Sequence, residues 1–171
     1  MFHRSITLAA LLCTVLLSGA GAAPTPVPGG ANALAALSAK TGETVFNGVL
    51  RIQLVALRDA TAADGINGSL APTAGADQKI LLMQTLLRNG THEEFTDLLH
   101  YTVADKDAVA VEIPSYLIKH INPHILQGAS LRQSALFVVD KDFVPSKLII
   151  DCATCGTRQG FRPVRFTLVS P

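Results

Sequence analysis

Two cysteines and two histidines are the residues of this sequence whose types and spacing best support chemistry. Cys152 and Cys155 are separated by two residues, and His120 and His124 by three. Two thiolates and two imidazoles make a four-ligand set suited to zinc or copper. Pro123 lies between the histidines, which disfavours one regular helix that presents both. A metal centre is therefore expected only if loops bring the two pairs together at one end of the fold.

The cysteine pair has two further interpretations. Cys13 lies in a predicted leader, so its removal leaves an even number of cysteines, as is typical of a disulfide in an exported chain. A redox pair usually lies at a helix N-terminus, whereas Cys152 follows a predicted strand and the sequence GTRQG follows Cys155. We favour a structural Cys152–Cys155 disulfide, and because its loop is short we expect a small entropic stabilisation.

The other candidate residues favour structural roles. His92 and His100 are isolated, and the sequence contains neither G-x-S-x-G nor H-E-x-x-H. The run Asp140-Lys141-Asp142 begins like a calcium loop, but the Gly and Glu required further on do not follow. The sequons at Asn67 and Asn89 contain Asn-Gly, which favours turns. We therefore expect no catalytic residue, no bound cofactor apart from the alternative zinc or copper, and a protein that is not an enzyme.

The first 22 residues have the features of a signal peptide. His3 and Arg4 give a basic start, an apolar run from Ile6 to Leu17 follows, and Ala20 and Ala22 fit the small-residue cleavage rule. We predict cleavage after Ala22 and a location in the periplasm, the cell envelope or the medium. Removal of 22 of the 171 residues leaves 149, which is enough for one domain with its own core.

Charge and hydropathy exclude several classes of partner. The net charge is +1 and no cluster of Lys and Arg occurs, so a nucleic-acid partner is not expected. No later run approaches the ~18 apolar residues of a membrane span, and the sequence predicts no transmembrane segment. We expect a monomer whose partner is an unidentified protein or envelope component.

Period-two alternation predicts a fold made almost entirely of strands. Leu50, Ile52, Leu54 and Ala56 alternate with Arg51, Gln53, Val55 and Leu57, and similar patterns occur in 131–139 and 164–168. The apolar run 79–88 is predicted as a strand, with the Asn89-Gly90 turn returning the chain antiparallel through 94–103. Roughly seven or eight strands at such spacing are typical of an all-β sandwich.

The region before the strands divides into a linker and a short helix. Residues 23–30 are rich in Pro and Gly and predict an extended linker. Residues 31–40 are rich in Ala and Leu and predict a short N-terminal helix that ends near Gly42. The predicted domains are thus a signal peptide over 1–22, a linker with a helix over 23–42, and a β-sandwich over 43–171.

The order of turns and strands resembles a known group of proteins. Its elements are Gly42-Glu43-Thr44-Val45, the run 79–88 with Asn89-Gly90, Gly128-Ala129-Ser130 leading into a strand with Phe137-Val138-Val139, and Pro145-Ser146-Lys147-Leu148. Over 41–151 this pattern resembles the exported bacterial immunoglobulin-like sandwich domains of lipoproteins and secreted antigens, whose function is largely unknown. Gln127, where that group often has Pro, and the Cys152-Ala153-Thr154-Cys155 tail depart from it. The resemblance implies an immunoglobulin-like antiparallel sandwich and no shared active site.

These observations favour a non-enzymatic binding or protective module. Its expected contact surfaces are the 64–77 loop and the 115–127 segment, because loops at the ends of sandwiches are where such folds bind. Two alternatives remain open: a metal-binding protein that uses His120, His124, Cys152 and Cys155, and a protease inhibitor that presents a loop.

Overall fold

Two five-stranded sheets make up the fold in the computed structural model, which describes residues 36–66, 71–155 and 160–168. The strands are β1 (Leu37–Lys40), β2 (Thr44–Phe46), β3 (Leu50–Asp59), β4 (Gln78–Asn89), β5 (Leu99–Asp105), β6 (Ala110–Glu112), β7 (Ile118–Lys119), β8 (Ser130–Asp140), β9 (Pro145–Cys152) and β10 (Val164–Thr167). Two short 3₁₀ helices accompany them, η1 (Ala62–Asp64) and η2 (Ser115–Leu117). None of the helices in the described ranges is long and apolar enough to cross a membrane.

The two sheets pack into a β-sandwich. One sheet has the order β1-β10-β9-β5-β6 and the other β2-β3-β4-β8-β7. All neighbouring strands are antiparallel except the pair of β1 and β10, which is parallel. Side chains from both sheets form one buried cluster, whose largest members include Tyr101, Phe95, Phe137 and Phe166. The prediction of an all-β sandwich is confirmed.

The alternation in the sequence correctly predicts which residues of two strands face the core. In β8, Ala135, Phe137 and Val139 are buried, and the residues between them are half-buried. In β10, Val164 and Phe166 are buried on either side of the exposed Arg165. Apolar side chains at every second position pack against the opposite sheet, as a half-buried strand requires.

Strand β3 departs from its predicted alternation in its second half. Leu50, Ile52 and Leu54 are fully buried, but the next buried residue is Leu57 rather than Ala56. The pairing of β3 with β4 shifts between Leu54 and Ala56, where one extra residue enters the strand. This bulge changes the face that later residues present, which keeps Leu57 in the core.

The predicted hairpin at Asn89-Gly90 is wrong. The run 79–88 is a strand, but β4 pairs with β3 and β8, whereas β5 lies in the opposite sheet beside β6 and β9. The chain therefore crosses between sheets after Asn89 instead of turning back. The buried Asn89 side chain stabilises this crossover, since it donates to the carbonyls of Glu93 and Ile125 and accepts from the backbone and hydroxyl of Thr91.

The N-terminal helix is also corrected where the structure describes it. Leu37–Lys40 is strand β1, paired with β10, and the Leu37 N–H donates to the Pro163 carbonyl over 2.8 Å. Long-range pairing has overridden the helix preference of Ala and Leu. The sheet thus includes residues before position 43, while the predicted signal peptide, the linker and residues 31–35 lie outside the described residues.

Candidate ligand-binding groove

A groove of about 410 Å³ crosses the outer face of the sheet that contains β4 and β8. Its floor includes the cross-strand pairs Leu82–Leu136 and Gln84–Ser134. These side chains point away from the opposite sheet, because their neighbours Met83 and Ala135 belong to the central core cluster. The floor therefore joins an apolar pair to a polar pair on the face that a sandwich usually exposes to water.

Two segments form the walls of this groove. Ala63, Asp64 and Pro72 stand on one side, and residues 116–119, from η2 and β7, contribute the other. The first set lies in or next to the predicted 64–77 contact loop, and the second lies in the predicted 115–127 segment. The structure thus brings parts of both predicted contact surfaces to one groove.

Leu82, on the floor of the groove, is shielded from water. Only 4% of this residue is exposed, although it is not part of the core cluster between the sheets. A leucine on an outer face is shielded only when another segment packs over it, and the wall residues are its neighbours here. The groove is therefore a concave and partly dry surface, which is the usual character of small-ligand sites.

The loop that carries Asp64 is held in place by polar contacts. Its carboxylate accepts two hydrogen bonds from the guanidinium of Arg58, at 2.8 and 2.9 Å, and two from the N–H and hydroxyl of Thr61, both at 2.7 Å. The bonds from Arg58, and then those from Thr61, hold the pKa of the Asp64 carboxyl well below its usual range. This wall is fixed by a charged anchor within the chain.

Tyr116 stands where the groove meets a second cavity. This cavity, of about 440 Å³, shares Pro72, Tyr116 and Leu117 with the groove and is otherwise lined by Val111, Glu112, Pro114, Phe137 and Val138. Tyr116 is 83% exposed. An exposed aromatic ring beside apolar concavities is a common contact residue in binding surfaces.

Strand β8 has an open edge beside the second cavity. Along its whole length it pairs with β4, but β7 pairs only with Ala135 and Ser134. Segment 114–117 leaves the sheet through Pro114 and η2, so β7 pairs with none of residues 136–140 of β8. The second cavity, which Phe137 and Val138 line, therefore lies beside a part of β8 that β7 does not pair.

The four residues of the predicted metal set are not brought together. Within residues 36–66, 71–155 and 160–168, no group of three or more His, Cys, Asp and Glu side chains could hold a metal ion. His124 is exposed, and its Nδ1 lies 3.1 Å from Oε1 of Glu94. His120 is exposed in a turn with a φ of 61°, and its carbonyl accepts from Gln133. Pro123 is buried between them.

Cys152 and Cys155 are joined by a disulfide, with their Cα atoms 5.5 Å apart. Both are half-buried at the end of β9. The remaining candidates lie in surface positions: Nδ1 of His92 is 2.9 Å from Nε2 of Gln127, His100 is exposed on β5, and Lys141 and Asp142 form the predicted turn after β8. The sequon at Asn67 lies outside the described residues.

Sequence reasoning missed a buried polar network between the sheets. The Tyr101 hydroxyl donates a short hydrogen bond to Oε1 of Gln133, and Nε2 of Gln133 donates to the His120 carbonyl. Burial raises the pKa of the Tyr101 phenol above its usual range. In the sequence, Gln133 could have been recognised only from the alternation of β8, which places it on the same face as Ala135 and Phe137. The network ties the 118–120 segment to the core and so positions one groove wall.

Comparisons with known proteins add no function. No family model matches the chain, and no curated protein matches it. Among solved structures, an uncharacterized β-sandwich protein from Clostridium difficile 630 has 11% identity and a TM-score of 0.47, covering 78% of this chain and 94% of its own. A conserved hypothetical protein from Bacillus anthracis has 11% identity and a TM-score of 0.47, covering 66% and 88%. The description as a β-sandwich depends on the two sheets themselves.

Proposed function

We propose that this protein is an exported binding module whose ligand occupies the groove over β4 and β8 and undergoes no catalysed reaction in that groove. The observation that supports this most directly is that parts of both loops expected to bind form the walls of one groove. Its floor includes the apolar Leu82–Leu136 pair and the polar Gln84–Ser134 pair. Such a lining suits a small ligand or chain segment with an apolar body and a few hydrogen-bonding groups.

Strand order supports an immunoglobulin-like classification within this proposal. From β3 onward, the sheets read β3-β4-β8-β7 and β10-β9-β5-β6. If β3 is named A and the later strands follow in order, these are A-B-E-D and G-F-C-C′, an arrangement typical of immunoglobulin domains. Strand β1, parallel to β10, and strand β2, antiparallel to β3, are additions to that set.

The proposed location outside the cytoplasm has support from the leader and from the cysteines. The basic start, the apolar run and the small residues before Ala23 fit a signal peptide. The disulfide between Cys152 and Cys155 is of a kind that persists in oxidising compartments. The ligand of the groove would then be a component of the envelope or the medium.

The groove is tested by nuclear magnetic resonance on the isotopically labelled protein. Amphipathic small molecules and short apolar peptides are titrated as probes, and we expect the backbone signals of residues 116–119 and 134–136 to shift together. Leu136→Lys places a charge on the groove floor and should abolish the shifts. Val55→Lys, a half-buried position of β3 that does not line the groove, is the matched control and should preserve them. Shifts confined to residues 88–92 would contradict the proposal.

A further inference from the structure

The Cys152–Cys155 disulfide lies at the surface end of β9, away from the residues that line the groove. Both cysteines are half-buried, and the three neighbouring residues Asp151, Ala153 and Thr154 are exposed. Solvent therefore reaches the turn between the two cysteines, while the cysteines themselves are half-buried against the core cluster.

The turn between the cysteines is held by bonds that do not involve sulfur. The Ala153 N–H donates to the Leu98 carbonyl over 2.8 Å, and the Leu98 N–H donates to the Thr154 hydroxyl oxygen over 2.9 Å. The Thr154 hydroxyl in turn donates to Oδ1 of Asp97 over 3.3 Å. These bonds hold the turn against the segment before β5 in addition to the covalent link.

The chain after the turn is anchored independently as well. The Arg162 N–H donates to the Asn47 carbonyl, and Nδ2 of Asn47 donates to the Arg162 carbonyl, over 3.0 and 3.1 Å. The Phe161 ring stacks on the buried Phe95 with centroids 6.5 Å apart. Opening the disulfide would leave both ends of this connection in place.

The covalent link itself contributes little to stability. The two cysteines are three positions apart in sequence, and the entropic effect of a crosslink grows with the size of the loop that it closes. Because the turn and the return to β10 already have their own anchors, the disulfide is a poor candidate for a staple. A disulfide that adds little to stability can open and close while the fold is kept.

One backbone donor favours charge on a particular sulfur. The Cys155 N–H donates to Sγ of Cys152 over 3.0 Å. A hydrogen bond of this kind is stronger to a thiolate than to a neutral sulfur, so it favours Cys152 as the sulfur that carries the negative charge when the disulfide opens. A thiol of low pKa is also the better leaving group in exchange reactions. The turn thus supplies at one sulfur part of what a helix N-terminus supplies in other redox pairs.

We propose that Cys152 and Cys155 form a redox-active pair that exchanges its disulfide with the dithiols of other proteins. A substrate thiolate attacks Sγ of Cys155, the Cys152–Cys155 bond breaks, and its electron pair goes to Sγ of Cys152, where the Cys155 N–H stabilises it. The second thiolate of the same substrate then attacks the substrate sulfur that is bonded to Cys155. This step forms the substrate disulfide and releases the Cys155 thiolate. The substrate is oxidised to a disulfide, the pair is reduced to two thiols, and the protons lost by the substrate thiols are taken up by the cysteines. The same steps in reverse restore the pair from a disulfide donor.

The first test is equilibration of the full chain with reduced and oxidised glutathione in native buffer. Acid quenching, alkylation and mass spectrometry count the free thiols, and circular dichroism follows the fold. We expect the pair to be partly reduced over an accessible range of glutathione ratios while the fold is retained. Structural disulfides of exported proteins resist the glutathione pool. A pair that stays fully oxidised, or that is reduced only as the protein unfolds, would overturn the proposal.

Two matched variants test the role of the backbone donor. In Cys155→Ser the remaining Cys152 thiol keeps the N–H of residue 155, whereas Cys152→Ser leaves Cys155 without that bond. If the bond lowers the pKa of the thiol by one unit, the thiolate fraction rises about tenfold and its intrinsic nucleophilicity falls by about threefold. We therefore expect Cys155→Ser to react with iodoacetamide near neutral pH about threefold faster than Cys152→Ser. Equal rates in two folded variants would overturn the assignment of the leaving sulfur.

Thr154 is a positioning residue in this scheme. Thr154→Val removes the hydroxyl that holds the turn, so the two thiols are less well placed to re-form their bond. We expect half-reduction at a several-fold lower proportion of reduced glutathione, an unchanged melting temperature of the reduced protein, and rescue by Thr154→Ser. If Thr154→Val is half-reduced at the same glutathione ratio as the unchanged protein, the Thr154 hydroxyl has no role in the redox equilibrium of the cysteine pair.

Discussion

Asn89 belongs to an Asn-Gly dipeptide, which usually marks an exposed turn, but its side chain is buried. Only 1% of it is exposed, and its amide makes four hydrogen bonds, to Glu93, to Ile125 and twice to Thr91. Asn-Gly is a strong hairpin signal because both residues tolerate positive φ. Here the amide is used for a crossover instead, which composition alone does not reveal.

Replacement of Asn89 by alanine should therefore destabilise the whole domain. Asn89→Ala removes the four hydrogen bonds of a buried side chain, although the Ile125 carbonyl still accepts from the Phe95 N–H and the Glu93 carbonyl from the Thr91 hydroxyl. We expect the free energy of unfolding to fall by about 2–4 kcal/mol, since each hydrogen bond of this kind contributes about 0.5–1.5 kcal/mol. Urea denaturation followed by circular dichroism measures the change. Asn122→Ala, at an exposed asparagine, is the control and should shift stability by less than about 0.5 kcal/mol. Equal effects would mean that the Asn89 network is not formed.

At the scale of elements, the strands with local signals were predictable and those with distant partners were not. Val164 and Phe166 alternate with Arg165, and burial follows that alternation. Leu37–Lys40 carries no such signal, because its residue types favour a helix and its partner β10 is distant in sequence. The bulge after Leu54 also depends on the partner strand. Periodicity reports which face a residue takes, but it does not report which strand lies beside it.

The candidate groove follows the same division. The sequence indicated both contact segments because each contains turn-forming or Pro-bounded residues. It did not show that Pro72 and Tyr116 line one groove, since that depends on the crossing from β6 to β7. It also did not identify Gln133, whose polar side chain occupies an inward position and ties the 118–120 segment to Tyr101.

Truncation on either side of β1 tests whether this strand contributes to the sheet. We compare the protein beginning at Ala36, which keeps β1, with the protein beginning at Thr41, which lacks it. The longer truncation removes the buried Ala39 and exposes the edge of β10. We expect the second form to be less stable by about 1–3 kcal/mol in urea denaturation, and more prone to aggregate by light scattering. Equal midpoints would show that β1 does not contribute to the sheet.

For the whole molecule, the proposed export and the oxidised cysteine pair are consistent with each other. A signal peptide over residues 1–22 would place Cys152 and Cys155 in a compartment where disulfides persist. The proposed exchange would then take place with thiols and disulfides of proteins in that compartment. The binding groove and the redox pair share no lining residue, so each can be tested without loss of the other.

The predicted cleavage site gives the measurement for export. When the full chain is expressed in a bacterial host, we expect the exported form to begin at Ala23, as read by intact mass and N-terminal sequencing. Leu11→Arg interrupts the apolar run of the leader and should retain the protein in the cytoplasm. Phe46→Arg, at an exposed position of β2, is the control and should leave export unchanged. An exported protein that still begins at Met1 would contradict the cleavage prediction.

The parallel pairing of β1 with β10 has a consequence for how the chain is made. A polypeptide emerges N-terminus first, both from the ribosome and through a secretion channel. The first strand of the described fold therefore waits for its neighbour until the last strand has emerged. The sheet that contains β1, β10 and β9 cannot be completed on a partial chain. Such a topology leaves the edge occupied by β1 without its partner strand until β10 has been synthesised, so completion of this sheet is a late event in folding.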